Sequence, residues 1–208
     1  MAALSNVEIW TPLAVVIPLG LLVFGGFTGR AFIFCLLISL LVAEPFTTLL
    51  KSTVNRQRPK QVQSVRMVEL QKARSAFLTL FKETTVRYSQ ENERGGSGHS
   101  FPSEHMANNT VIAICCTLFF ARWGWLYWLV AAAVGYSRIY LGVHWPSDII
   151  LTLFLATGET LLILGALELF WRKAGPKWMP ETYARHPTLI FASLRRRAST
   201  TDEATRAI

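Results

Sequence analysis

Ser137-Arg138-Ile139-Tyr140-Leu141-Gly142-Val143-His144-Trp145-Pro146-Ser147-Asp148 is a polar joint between two apolar runs, roughly Trp123–Val143 and Pro146–Trp171. A helix that crosses a bilayer needs ~20 consecutive, mostly apolar residues, and both runs reach or approach that length. Working outward from the joint, three more runs do the same: Phe101–Ala121, Ala31–Leu50 and Trp10–Gly29. No basic residue precedes Trp10, and the first cation, Arg30, follows the run, so it reads as a retained span rather than a secretory signal. Trp10, Trp123, Trp125, Tyr127, Trp128, Tyr140, Trp145 and Trp171 cluster near the run ends, as interfacial aromatic belts do.

Composition agrees. The 208 residues suffice for one domain, with 51% hydrophobic residues against 16% charged. The charges concentrate in residues 51–100 and 172–208, which is how a chain reads when the rest sits in lipid. The net charge of +8 is spread between apolar spans rather than over a basic domain. Lipid phosphates and membrane lipids are therefore the expected partners, not nucleic acid. Cys35, Cys115 and Cys116 all lie in apolar runs and form neither a disulfide framework nor a metal spacing. No cofactor is expected.

The expected fold is all-α, a polytopic membrane bundle of about five or six transmembrane helices. Residues 1–175 form the transmembrane domain and residues 176–208 a basic, flexible cytoplasmic tail. Glu44-Pro45 is expected to break the second span. The extramembrane loop 51–100 is expected to be partly helical. Met67, Leu70, Phe77 and Phe81 recur at near-helical spacing among Arg66, Lys72, Arg74 and Lys82. That pattern fits a basic amphipathic helix on the membrane surface or a small cap packed on itself. Arg30, Arg122 and the tail cations put the tail end in the cytoplasm by the positive-inside rule. The loop 51–100, with ten Lys or Arg against four Glu, fits that orientation poorly unless phosphate binding employs its cations.

Three polar stretches interrupt the apolar pattern, and the order of spans puts them on one face of the membrane. They are Lys51 to Pro59, Ser100 to His105, and Ser137 to Asp148. Lys51, Arg58 and Arg138 suit phosphate oxygens, by point charge and by planar fork. Pro102 is expected in the first turn of the third span, whose free amides make an anion site, and Ser103 adds a hydroxyl. His144 and Asp148 are four apart at the start of the fifth span, so the carboxylate can hold the imidazole in one tautomer. His144 is therefore assigned attack on phosphorus, and His105 protonation of the leaving oxygen.

These stretches resemble the tripartite signature of the type 2 phosphatidic acid phosphatase family: KxxxxxxRP, PSGH and SRxxxxxHxxxD. The first and third are complete, and the second stands as Pro102-Ser103-Glu104-His105. The resemblance runs from Lys51 to Asp148. It implies a helical bundle and metal-independent hydrolysis of a lipid phosphate. It also implies phosphate binding by Lys51, Arg58, Ser103 and Arg138, with His105 as acid, His144 as nucleophile and Asp148 as its partner. A bacterial inner (plasma) membrane is the expected location, with the site on the non-cytoplasmic face.

Glu104 departs from the family glycine. It brings a carboxylate to an anion site, and pairing with Arg56 or another loop cation would offset it. An acidic residue here also resembles the PSDH form of some isoprenyl-diphosphate phosphatases, which favours isoprenyl (undecaprenyl) diphosphate over phosphatidylglycerol phosphate, phosphatidic acid or lipid A. Ser97-Gly98-His99 imitates part of the second motif but lacks its proline. Glu104, Arg56 and His99 are thus possible substrate contacts. A phosphotransferase that passes the phosphate to an acceptor lipid, and an inactive lipid-phosphate-binding protein, are the alternatives.

Overall fold

The computed structural model describes residues 7–70, 84–94, 98–120 and 122–190. Five helices make the bundle: α1 (Val7–Phe24), α2 (Gly26–Val54), α4 (Glu104–Phe119), α5 (Tyr127–Tyr140) and α6 (Pro146–Trp178). A single turn, α3 (Pro59–Val62), follows α2, and a short α7 (Pro180–Arg185) follows α6.

α4 is the central helix, packed against α2, α5 and α6, while α1 lies against α2. Its buried face carries Val111, Ala113, Ile114, Cys115 and Phe119, which meet Ala31, Phe32, Cys35 and Ala43 of α2 and Leu164 of α6. The three cysteines are free, and two of them are buried in this seam. Small residues let the backbones approach closely, which is how helices associate in lipid. The outer faces expose Val16, Leu19, Val23, Leu37, Leu41, Leu151, Phe154 and Leu162. An apolar perimeter around a bundle whose spans are themselves apolar is the arrangement of an integral membrane protein.

Several element ends differ from the sequence reading. The first two spans divide at Gly25-Gly26, not at Arg30. Gly26 has φ +58, and a Cβ on Gly25 would lie 2.4 Å from the Leu21 carbonyl oxygen, so only glycine fits this tight turn. Arg30 sits inside α2 and its Nε donates to the Leu22 carbonyl at 3.1 Å. α2 also runs through Pro45 without ending. Proline removes one backbone hydrogen bond there, and the helix, packed on α4, continues to Val54.

Of the two readings of the loop, a surface helix and a small cap packed on itself, the helix does not run through Met67 and Leu70, where two strands pair instead. Strand β1 (Arg66–Leu70) pairs antiparallel with β2 (Thr84–Tyr88), with Arg66 opposite Tyr88 and Val68 opposite Val86. Met67 and Leu70 are therefore on a strand, whereas Lys72, Arg74, Phe77, Phe81 and Lys82 lie outside the described residues. The reason is long-range pairing with the β-branched run Thr84-Thr85-Val86, which a local helical period does not register.

α6 likewise continues past residue 175 to Trp178, and the chain then folds back through α7. Leu189 and Ile190 are buried, and their N–H groups donate to Glu168 Oε2 at 2.8 and 3.1 Å. Residues 176–190 are thus folded against the bundle, and residues 191–208 lie outside the described residues.

Candidate active site

The end of α2, the start of α4 and the α5–α6 joint meet at one end of the bundle. α2 ends with Lys51 in its last turn, and Asn55, at φ +49, donates its N–H back to the Lys51 carbonyl. Left-handed termination suits asparagine. It turns the chain so that residues 56–58 run beside residues 99–100. Gln57 and His99 form an isolated antiparallel bridge, and Ser100 N–H donates to the Arg56 carbonyl at 2.7 Å. His99 contributes its backbone here, and its carbonyl accepts from Arg58 Nε at 3.4 Å. Ser97 lies outside the described residues.

α4 begins at Glu104, so Pro102 precedes the helix instead of sitting in its first turn. Ser103 is the N-cap, in extended conformation at φ −83 and ψ 106. An N-cap serine ordinarily uses its hydroxyl on its own helix. Here Ser103 makes no such cap, and its Oγ is fully buried with no partner. The Ser103 N–H is occupied, donating to Thr152 Oγ1 at 3.0 Å. The next amides, in the first turn, have no acceptor within the helix.

α5 ends after Arg138 in a turn through Gly142, at φ +70, where a Cβ would lie 3.1 Å from the Arg66 carbonyl oxygen. That turn aims His144. Trp145 and Pro146 then start α6, and Asp148 Oδ2 accepts the Trp145 N–H at 2.9 Å.

His144 is buried, and its Nδ1 lies 2.6 Å from the Ser100 carbonyl oxygen. A carbonyl only accepts, so Nδ1 carries the hydrogen and Nε2 keeps its lone pair. The expected direct hold by Asp148 is replaced: Asp148 Oδ2 is 3.9 Å from Nδ1, beyond hydrogen-bond reach. Asp148 instead accepts the Ser100 hydroxyl on Oδ2 and Arg56 Nη1 on Oδ1 at 2.7 Å. Arg56 also donates to Ser147 Oγ at 3.1 Å and lies over the Trp145 ring. Burial pushes the His144 imidazole down to about 3; the positive charges of Arg138, Arg58 and His105 add to it, against the Ser100 carbonyl.

The remaining expected residues converge on the same place. Arg138 is near enough to Arg58 and Glu104 to feel both charges, and its Nε is buried without a partner. Glu104 pairs with Lys51 itself, Nζ to Oε2 at 3.0 Å, not with Arg56. His105 is in the first turn of α4, and its carbonyl accepts from Asn109 Nδ2 at 2.8 Å. Ser100 and Thr152 are site residues to which the sequence assigned no role. Thr152 carries one usable signal, since it lies one turn after Asp148 on the same helical face. The backbone acceptor of Ser100 leaves no trace in residue type. Lys51, Arg58 and Arg138, an orphaned hydroxyl and a neutral imidazole are the kinds of group that can accept a tetrahedral oxyanion. Among the described residues no group of three or more His, Cys, Asp or Glu could hold a metal ion.

Known proteins resemble this chain in sequence and in fold. The chain is 42% identical over 73 residues to the bacitracin transport permease protein BcrC of Bacillus licheniformis, covering 35% of this chain and 33% of that one. It is 40% identical over 53 residues to an undecaprenyl-diphosphatase of Sulfolobus acidocaldarius, covering 25% of this chain and 26% of that one. It is 33% identical over 101 residues to a lipid A 4'-phosphatase of Porphyromonas gingivalis, covering 48% of this chain and 41% of that one. The matches thus span between about a quarter and two fifths of these relatives' lengths. The fold is similar to the crystal structure of the transmembrane PAP2 type phosphatidylglycerolphosphate phosphatase from Bacillus subtilis. The TM-score is 0.51 at 21% identity, over 80% of this chain and 73% of that one. Residues 32–173, which carry all three motifs and the four helices around them, match the PAP2 superfamily, and the chain belongs to that family.

Proposed function

We propose that the protein is a membrane-embedded lipid phosphatase that works through a phosphohistidine on His144. One observation carries this reading. A buried imidazole is tied through Nδ1 to the Ser100 carbonyl and stands in the field of Arg138, Arg58 and His105. That leaves a neutral ring with a lone pair on Nε2, the form a nucleophile needs.

The chemistry balances as follows. The phosphoryl oxygens sit with Lys51, Arg58, Arg138 and the Ser103 hydroxyl. The Nε2 lone pair of His144 attacks the terminal phosphorus, and the bond from that phosphorus to the leaving oxygen, the bridging oxygen of a diphosphate or the lipid oxygen of a monoester, breaks with its electrons on that oxygen. His105 donates the proton that the oxygen needs to leave. A water then attacks the phosphohistidine and gives a proton to His105. The phosphorus–nitrogen bond breaks and inorganic phosphate departs. The cations stabilise the charge on the equatorial oxygens in both steps. Asp148 acts through Ser100, by holding the residue whose carbonyl orients the ring.

The favoured substrate is a lipid diphosphate of the isoprenyl (undecaprenyl) type. The acidic residue at position 104 supports this, as does the similarity to an undecaprenyl-diphosphatase. The site is assigned to the non-cytoplasmic face of a bacterial inner membrane, where a head group at the interface reaches it with its tail in lipid.

The test is phosphate release in detergent from undecaprenyl diphosphate, phosphatidylglycerol phosphate, phosphatidic acid and lipid A, with and without an acceptor lipid. Release from a lipid diphosphate without an acceptor is expected, unaffected by chelator and abolished in His144→Ala. Near-normal turnover in His144→Ala would refute the mechanism. Transfer only when an acceptor is present would make the protein a phosphotransferase.

A further inference from the structure

We propose that Glu104 is an internal counter-anion of the phosphate seat, occupying Lys51 until a substrate phosphate displaces it, and so selects for more highly charged head groups. The inference rests on the reading of this seat as a phosphate site.

Three observations point the same way. Glu104 stands where the family motif has glycine, so the carboxylate is an addition to the site rather than part of its common machinery. Its partner is Lys51, one of the cations the motif supplies for phosphate, at 3.0 Å. The carboxylate also feels the charge of Arg138, a second cation of the cluster. Its side chain is half exposed, at 51%, whereas Lys51 is at 25%. A half-exposed carboxylate swings into water at little cost, so the pair opens more readily than a buried one.

The consequence is a competition. A phosphate anion that binds the arginines and the Ser103 hydroxyl finds Lys51 already engaged. It must either forgo that cation or displace Glu104 and stay near its negative charge. A single phosphate, including the inorganic phosphate product, loses part of its binding either way. A diphosphate carries more negative charge with which to outcompete the carboxylate for Lys51. Glu104 thus weakens product retention and discriminates against monophosphates, through ground-state binding.

The experiment uses the full chain in detergent, with Glu104→Gln as the near-isosteric neutral variant and Glu104→Gly as the family form. Inorganic phosphate is titrated in two ways: as an inhibitor of lipid phosphate release, and by its effect on thermal unfolding, which needs no turnover. Phosphate is expected to bind Glu104→Gln about five- to tenfold more tightly than wild type, the effect of removing one partly screened charge. KM for a lipid monophosphate should fall by a similar factor while kcat does not rise. The preference for diphosphate should shrink accordingly. In a Lys51→Met background the same Glu104→Gln change should leave phosphate affinity almost unaltered, because the competition runs through Lys51. Unchanged or weaker phosphate binding in Glu104→Gln would overturn the proposal, as would an equal gain in the Lys51→Met background. If wild type binds phosphate in the unfolding assay but releases none from any lipid, the phosphatase reading fails while this one is still decided by the binding data.

Discussion

At the scale of single residues, the proposed mechanism depends on a histidine kept neutral. His144 resists protonation until about pH 3 in the native protein, whereas a free imidazole titrates near ~6.5. The unfolded chain therefore binds a proton that the native chain refuses between those values. Stability contributed by this group is intact above ~6.5 and declines as pH falls toward 3, by up to about 1.4 kcal/mol per pH unit. Thermal unfolding in detergent across that range should show the decline, and His144→Gln should flatten it. An identical slope in the variant would mean that the ring is not held neutral. A second prediction separates the Ser100 relay from a direct histidine–aspartate contact. Ser100→Ala keeps the carbonyl but removes the hydroxyl that Asp148 accepts. Its kcat should fall about tenfold, the equivalent of one buried hydrogen bond of ~1.4 kcal/mol, with little change in KM. A direct contact would leave Ser100→Ala silent. The spacing of polar residues made Lys51, Arg58, His105, Arg138, His144 and Asp148 legible as one cluster, because each closes or opens an apolar run. It could not show that a backbone carbonyl, rather than Asp148, orients the ring, since every residue type carries that acceptor.

At the scale of elements, the turn between α5 and α6 sets where His144 points. Gly142→Ala places a Cβ at φ +70, a conformation costing an L residue roughly 1–2 kcal/mol. It also brings that Cβ to 3.1 Å from the Arg66 carbonyl oxygen of β1, a second strain on the same turn. The expected result is a modest fall in melting temperature and a larger loss of kcat than of substrate affinity, read by steady-state kinetics alongside thermal unfolding. Equal effects on kcat and KM would mean that the turn supports the fold without aiming the ring. β1 thus lies against the turn that precedes His144, with Arg66 over the Tyr140 ring as a further contact. This element was the least legible in the sequence. Met67 and Leu70 satisfy a helical spacing by themselves, and their strand partners lie beyond any local window. The ends of α2 were hidden for a different reason. A polar Arg30 looked like a boundary, but its Nε finds the Leu22 carbonyl across the glycine turn, so the helix can begin earlier.

At the scale of the whole molecule, the distribution of cations decides which way the bundle faces. The end opposite the site carries Arg30, Arg122, Arg172, Lys173, Lys177 and Arg185, separated from Lys51 by about 30 Å of helix. The site end is also rich in cations, which by count alone opposes the positive-inside rule. Several are engaged, however: Lys51 with Glu104, Arg56 with Asp148, Arg94 with Glu91, and Arg58 with the His99 carbonyl. The outward orientation proposed for the site asks that these engaged cations count for less than those of the opposite end, where Arg172 is itself paired with Glu168 at 2.7 Å. Cysteine labelling checks this directly. Cys35 and Cys115 are fully buried and Cys116 partly so, all within the bundle, so background reaction with a membrane-impermeant maleimide should be low. Ser52→Cys, exposed beside the site, should label in intact bacterial cells. Lys177→Cys, exposed at the far end of α6, should label only after lysis. The reverse pattern would put the catalytic cluster in the cytoplasm and direct the search for its substrate to lipids of the inner leaflet.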